Sequence, residues 1–242
     1  MHSFYIGAPE EGSAWLLPEE CRHARQVLRL QTGEAVTAMD GDGNRYRASI
    51  DYMGEDGVRV RLDEPLPTGE APVRICVYQG LPKADKLEFI AQKLTELGAA
   101  GLVPVKMERC VVRLDAKDGK KRQERLERIA REAAKQCRRA KAPEVLPPMS
   151  WREAQQRLEA HELVIVPWEE ASGGRMKDVF AKRPDARDIG IVIGPEGGMS
   201  EQEVCALKSL GAVLVTLGPR ILRAETAAVV SAAMAMQLWG DL

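Results

Sequence analysis

The stretch VIGPEGGMSEQEV, residues 192–204, places a strand end, a tight turn and a helix start in immediate succession. Val192 and Ile193 close an apolar run, and Gly194, Pro195, Gly197 and Gly198 make the turn. Ser200 stands three residues before Glu203, the spacing of a capping box. The serine oxygen accepts from the Glu203 amide while the carboxylate reaches back to the Ser200 amide. A strand that feeds a helix through glycines is the repeating unit of an α/β fold. Such turns commonly hold phosphate at the helix N-terminus. Here no lysine follows the glycines and the G-x-G-x-x-G spacing is absent, so neither a P-loop nor a dinucleotide fingerprint is present.

A second turn of the same kind lies in VTLGPRILRAETAAVVSAAMAMQLW, residues 215–239. A strand ends at Gly218-Pro219, and Ile221-Leu222-Arg223 leads into a helix rich in Ala, Val and Met. Working backwards, apolar runs at 74–78, 102–105, 163–166, 189–193 and 212–217 read as strands, several of them apolar on both faces as in a covered parallel sheet. Helices fall between them. In KLEFIAQKLTELG, Leu87, Ile90, Ala91, Leu94 and Leu97 share one face and Gly98 is placed to end the helix. Loops after the C-terminal ends of parallel strands gather into one crevice, where ligands bind. Gly194–Gly198 and Leu217–Leu222 are therefore expected to be two walls of one pocket. The small residues Ala224, Ala227, Ala228, Ser231, Ala232 and Ala233 suit close packing of the last helix, on the chain's own core or on a second subunit.

The first seventy residues have a different pattern. AVTAMD, RYRASIDY and VRVRL alternate as half-buried strands, separated by the hairpin signals Asp42-Gly43 and Asp56-Gly57. DEPLPTGEAP, residues 63–72, reads as a linker. The expectation is a small β-barrel or sandwich over 1–70, taken as an RNA-binding β-barrel, and an α/β domain over 71–242.

Apolar content of 45% and charged content of 29% fit a folded soluble chain. No apolar run reaches membrane length, and the N-terminus lacks a basic region followed by an apolar core, so a cytoplasmic location is expected and no membrane association. Five scattered cysteines without a C-x-x-C pair, and three histidines, suggest neither a disulfide framework nor a metal site. Net charge is −1, but unevenly spread. Residues 1–70 hold 13 acids and 7 arginines with no lysine, whereas residues 106–141 hold 14 Lys or Arg against 6 acids. Such a basic segment marks nucleic-acid contact or a solvated helix face. Its acid-free end, Gln136 to Lys141, makes Arg138 and Arg139 candidate phosphate ligands, with Lys86 and Lys93 on the polar face of the 86–97 helix and Arg22, Arg25 and Arg29 in the RHARQVLR segment.

Taken together, IGPEGGMSEQEV and LGPRILRAETAA resemble the paired C-terminal motifs of the SPOUT class of RNA methyltransferases, and in particular the bacterial family that methylates N3 of a uridine in small-subunit ribosomal RNA. HARQVLRL, KLEFIAQKLTELG, the ERC at Glu108–Cys110 and AAKQCRRAKAPEV are similar to that family too, so the likeness spans nearly the whole chain. The resemblance implies a C-terminal parallel-sheet domain tied in a trefoil knot and a PUA-like N-terminal barrel. It implies S-adenosylmethionine as cofactor, ribosomal RNA or the small ribosomal subunit as partner, and a homodimer. A sulfonium cofactor without phosphate explains the missing lysine, because glycines let main-chain groups reach the adenine and ribose. By the same analogy the third wall of the pocket follows the 163–166 strand. The expected cofactor residues are Val166, Pro167, Gly194, Glu196, Gly197, Gly198, Leu217, Gly218, Ile221, Leu222, Thr226 and Ala227. Glu196 either orients a cofactor group or caps the turn. Attack by uridine N3 requires loss of its imide proton, so the site must accept that proton or stabilise the anion. Arg223 and Glu225 have the types for these roles; a helix-start ion pair is the competing reading. A ribose 2′-hydroxyl or another RNA as acceptor, or a non-catalytic ribosome-assembly factor that binds RNA through its β-domain and keeps a degenerate pocket, are the alternatives, and the intact glycines speak against the last.

Overall fold

The computed structural model describes residues 1–112, 115–171 and 174–242. The chain divides into two compact units, Met1–Glu70 with Ala134–Ala142, and Ala71–Ala133 with Pro143–Leu242.

In the first unit, β1 (Ser3–Tyr5), β2 (Ser13–Trp15), β3 (Ala35–Met39), β4 (Arg45–Gly54) and β5 (Gly57–Leu66) form a sheet in the order β1-β3-β4-β5-β2. The β1–β3 pair is parallel and the others are antiparallel. An Ile6–Leu16 bridge joins the two edges, with Gly7 N donating to Trp15 O at 2.8 Å, so the sheet curls into a partly closed barrel. Phe4, Val36, Ala38, Ala48, Ile50, Val58 and Val60 fill it. Helix α1 (Pro18–Arg22) continues as a π-helical turn over His23–Val27 and packs Ala24 into the same core. The hairpin signals fall where β3 turns into β4 and β4 into β5. The segment expected to be a linker from residue 63 is strand as far as Leu66: Glu64 and Pro65 pair with Arg47 and Tyr46. Proline is tolerated there because β2 pairs only with Arg59–Arg61 of β5, so the other side of Pro65 lacks a strand whose ladder would need its N–H.

The second unit is a parallel sheet. It comprises β6 (Arg74–Gly80), α2 (Lys86–Glu96), β7 (Gly101–Lys106), α3 (Ala116–Gln136), β8 (Glu144–Val145), β9 (Met149–Ser150), α4 (Trp151–Leu158), β10 (Leu163–Pro167), α5 (Met176–Lys182), β11 (Asp188–Ile193), α6 (Glu201–Ser209), β12 (Val213–Val215) and α7 (Ala224–Trp239). The strand order is β12-β10-β11-β6-β7-β8, with β9 also on β7, and every described pair is parallel. Alternate residues serve opposite faces. Ile75 and Val77 meet α2, α3, α5 and α7, whereas Cys76 and Tyr78 meet α4 and α6. This is why the strands read as apolar throughout. α3 crosses the boundary between the units, its residues to Ala133 counting with the sheet and the rest, through Ala142, with the barrel.

Of the small residues of α7, Ala224, Ala228, Ser231, Ala232 and Ala235 are buried, and the helix packs within the unit against α2, α5, β6 and β11, whereas Ala227 and Ala233 are half-buried.

Candidate active site

Three loops meet at the C-terminal ends of β10, β11 and β12. Because β10 lies between β11 and β12 in the sheet, the turns after all three are brought together although the sequence spaces them widely. They enclose a cleft of about 430 Å³ lined by Lys86, Pro167, Trp168, Glu169, Gly194–Met199, Ile221–Ala224 and Ala227. A smaller recess of about 100 Å³ continues it along Thr216, Leu217, Gly218, Pro219 and Arg220.

The capping box forms as its spacing requires: Glu203 N donates to Ser200 Oγ at 3.3 Å and Ser200 N donates to Glu203 Oε2 at 2.8 Å. The Glu203 carboxylate is buried and also accepts from Glu108 N at 2.9 Å. It thereby ties the ERC segment to the start of α6. Arg109 Nη1 donates to Gly197 O at 3.2 Å from the same segment. The turn itself closes with Gly198 N donating to Pro195 O at 2.9 Å, with Gly198 at φ +71°. A Cβ on Gly197 would lie 3.2 Å from Arg109 O, and one on Gly80, at the end of β6, would lie 2.6 Å from Pro195 N. Glycine is thus demanded by packing of the protein against its own turn, in addition to any need for ligand approach. Gly218 is different: its φ of +118° favours glycine, and a Cβ there would meet nothing within 4 Å.

Two of the charged groups that line the cleft, Lys86 and Glu196, form a cluster with Glu225, which lies outside the lining. Lys86, at the first position of α2, places Nζ 2.9 Å from Glu196 Oε1 and 3.2 Å from Glu225 Oε2. Glu196 Oε1 also accepts from Lys83 N at 3.0 Å. Burial pushes the Glu196 carboxyl up, but the Lys86 ammonium and the main-chain N–H of Lys83 outweigh it, and its pKa falls below the usual 4.5. The hydrogen bond to Glu196 correspondingly raises Lys86 above 10.5. Arg223 is the exposed N-cap of α7, lines the cleft, and makes no side-chain hydrogen bond or ion pair with a described residue. The helix-start pair of Arg223 with Glu225 therefore gives way to a Lys86–Glu225 pair.

Most of the expected cofactor residues come together here: Pro167, Gly194, Glu196, Gly197, Gly198, Leu217, Gly218, Ile221, Leu222 and Ala227 all line the cleft or its recess. Val166 does not, because its side chain is fully buried in the sheet's core, and Thr226 is exposed on α7 away from the lining. Trp168 and Glu169 line the cleft and had no motif to mark them, whereas Arg109, which braces the turn through Gly197 O, stands in the ERC segment.

The basic residues separate. Lys86 faces the cleft, paired with two carboxylates, and is not a free surface cation. Lys93 pairs with Glu96 one turn on. Arg138 is exposed, at φ +63°, beside His2 and His23 in a small recess. Arg139 corrects the phosphate expectation outright: it is 6% exposed and holds Glu70 with Nη2 2.6 Å from Oε2. The acid-free end of the basic segment finds its acids elsewhere in the first unit, since Lys135 likewise pairs with Glu20. Arg22 and Arg25 line a cleft of the barrel unit, whereas Arg29 is exposed outside it.

A covered parallel sheet with a glycine-walled cleft at its strand ends, joined in sequence to a small barrel, defines a ligand-binding α/β enzyme scaffold. Residues 69–236 match the family profile of an RNA methyltransferase domain and residues 16–63 that of an RNA methyltransferase PUA domain, and the chain belongs to this RNA methyltransferase family. It is 37% identical over 214 residues to ribosomal RNA small subunit methyltransferase E of Bacillus subtilis, covering 86% of this chain and 84% of that protein. The structure is similar to that of the protein of the same name from Neisseria gonorrhoeae bound to S-adenosyl methionine, at 32% identity and a TM-score of 0.86, covering 100% of this chain and 99% of the other. A putative methyltransferase from Legionella pneumophila, solved with bound SAM, matches at 30% identity and a TM-score of 0.86, over 99% and 98% of the two chains.

Proposed function

We propose that the protein transfers the methyl group of S-adenosylmethionine to N3 of a uridine in small-subunit ribosomal RNA. The observation that carries the reading is the Lys86–Glu196–Glu225 cluster at a cleft walled by main-chain turns, with Arg223, which pairs with no described residue, in its lining. The cleft suits the cofactor. Its volume lies in the range of small-molecule sites, Ile221, Leu222 and Trp168 offer apolar contact to an adenine, glycine turns present N–H and C=O groups to its edges, and carboxylates favour a cation. When bound, the cofactor supplies an electrophilic methyl group. The protein must make N3 a nucleophile. Glu225, fixed by the Lys86 ammonium, accepts the imide proton directly or through one water. Arg223 then faces the negative charge that develops on the uracil oxygens, where a preorganised donor counts most.

The active form is a homodimer whose chain threads the knot that the resemblance implies. α7 carries one charged residue, Glu225, and a helix apolar all round is normally covered on both sides. Its buried face is used within the unit, which leaves Val229, Val230 and Ala233, with the 85% exposed Ile221 ahead of them, for the second copy. Sedimentation of active protein as a monomer would refute the dimer.

The test of the reaction is transfer of labelled methyl from S-adenosylmethionine to unmethylated small-subunit RNA or particles, followed by digestion to nucleosides and mass spectrometry. Label in 3-methyluridine is expected. Label on a ribose 2′-oxygen, or none above background, sinks the reading.

A further inference from the structure

The barrel unit holds a second cleft, of about 700 Å³, well apart in sequence from the motifs that form the first. It is lined by Gly7, Trp15–Pro18, Cys21, Arg22, Arg25, Gln26 and the β4–β5 turn, Glu55–Gly57. Trp15 is the one aromatic among its described lining residues, and the residue is 44% exposed. It is held in place. Tyr52 meets it edge-on at 5.7 Å between centroids, and the Arg59 guanidinium carbon lies 5.8 Å from its centroid. The backbone passes so near that a Cβ on Gly57 would lie 2.9 Å from Trp15 Cε3. Tyr52 is fixed in turn by donating its hydroxyl hydrogen to Asp56 Oδ1 at 3.1 Å. A rigid, half-exposed indole is preorganised for stacking and loses little side-chain entropy when covered.

The cations around it are not alike. Arg59 is paired with Asp51 at 3.2 Å, and Arg22 Nε donates to Gln26. Arg25 forms no ion pair with a described residue, and its Nε is buried without a hydrogen-bond partner. A partly desolvated guanidinium that forms no ion pair is a place for an anion. Glu55 and Asp56 also line the cleft, and residues 1–70 as a whole are net acidic. A duplex, whose phosphates run in two continuous rows, would meet those carboxylates. One unpaired nucleotide would not.

Resting on the proposed action on RNA, we infer that this cleft holds a single unpaired nucleotide of the substrate, its base stacked on Trp15 and its phosphate on Arg25, with Arg22 beside it. Stacking reads any base, and the phosphate contact sets the direction of the strand.

The test uses the full chain and three probes: a labelled eight-residue unstructured oligoribonucleotide, the same strand in a duplex, and inorganic polyphosphate of matched charge. Wild type should prefer the single strand. Trp15→Ala should weaken single-strand binding roughly 5- to 100-fold, the range expected for loss of one stacked base. Its salt slope and polyphosphate binding should stay as in wild type, and Trp15→Phe should recover much of the affinity. Arg25→Gln should make the salt slope shallower by about 0.7. Wild-type single-strand affinity in a folded Trp15→Ala variant overturns the cleft, as does an equal loss on polyphosphate. If Trp15→Ala does not fold, an unchanged slope in Arg25→Gln overturns it instead. Methyl transfer by wild type separates the two levels: transfer with Trp15-independent RNA binding removes only the cleft, whereas neither transfer nor RNA binding removes the proposed function as well.

Discussion

Replacing Lys86 with methionine keeps the stem of the side chain and removes the charge that joins Glu196 to Glu225. In the native cleft the ammonium lies 2.9 Å and 3.2 Å from the two carboxylates, whose side chains are 29% and 16% exposed. Contacts this wet are worth far less than Coulomb's law in a dry interior suggests. Removing the cation also leaves two carboxylate oxygens about 6 Å apart at most, since both touch one ammonium, and their repulsion in a half-exposed site is of the same order. The net effect should be a modest loss, a lowering of the melting temperature by roughly 2 to 8 °C for a unit of this size. The pH dependence gives the sharper test. Glu196 has a pKa lowered by Lys86, so its contribution is fully present above its ordinary 4.5 and is lost as pH falls through the depressed value. Lys86 has a raised pKa, so its contribution is present below 10.5 and is lost as pH rises through the higher value. The wild-type advantage over Lys86→Met should therefore be level between about pH 5 and pH 10 and shrink toward acid. Urea denaturation at pH 7 and near pH 3.5 measures it. Equal stability at pH 7, or a gap that does not narrow in acid, refutes the reasoning. In the same variant calorimetry should show weaker S-adenosylmethionine binding, because Glu196 is then held by the Lys83 amide alone.

Arg139→Ala should behave as a stability variant, losing about 2 to 4 kcal/mol through a broken, mostly buried ion pair with Glu70; an undiminished urea midpoint with a shallower salt slope for RNA binding would restore it to the phosphate surface. Arg223→Ala should lower single-turnover methylation by about 10²- to 10³-fold, the size of one lost transition-state donor, while RNA affinity changes little; wild-type turnover would move the role elsewhere. His161 is buried, with its ring 2.9 Å from Tyr78 Oη and 2.5 Å from Asp188. Burial drives its pKa below 6.5 although the Asp188 carboxylate pulls the other way, so the unfolded chain binds a proton that the folded chain resists, and stability is lost as pH falls below about 6.5. His161→Gln should flatten that loss between pH 7 and 5 in chemical denaturation, and an unchanged slope would count against it.

What the sequence discloses is what local spacing encodes. The Ser200–Glu203 box, the glycine turns at 194–198 and 218, and the two-faced apolar strands all act within a few residues, and together they place a cleft at the strand ends. The pairings that give the cleft its chemistry act across the chain. Lys86 is 110 residues from Glu196, and nothing beside it marks it as a cleft residue. Arg139 looks free because its neighbours carry no acid, yet its partner is Glu70, 69 residues away. Gly80 ends an ordinary strand and shows its importance only where Pro195 packs over it. Trp15 sits in a three-residue strand without a motif, and its exposure depends on Gly57, Tyr52 and Arg59 from two other strands. Charge counted along the chain is therefore a poor guide to which cations face solvent, whereas turn chemistry is a good guide to where a pocket opens.

The central claim, methylation of uridine N3 in small-subunit ribosomal RNA, is tested most directly in cells. Ribosomal RNA from a strain lacking the gene, and from the same strain carrying the wild-type or the Arg223→Ala chain, is digested and its nucleosides are quantified by mass spectrometry. 3-Methyluridine should disappear from small-subunit RNA on deletion, return with the wild-type chain and stay low with Arg223→Ala. Unchanged 3-methyluridine in the deletion strain, with loss of a different methylated nucleoside or of none, would contradict that claim.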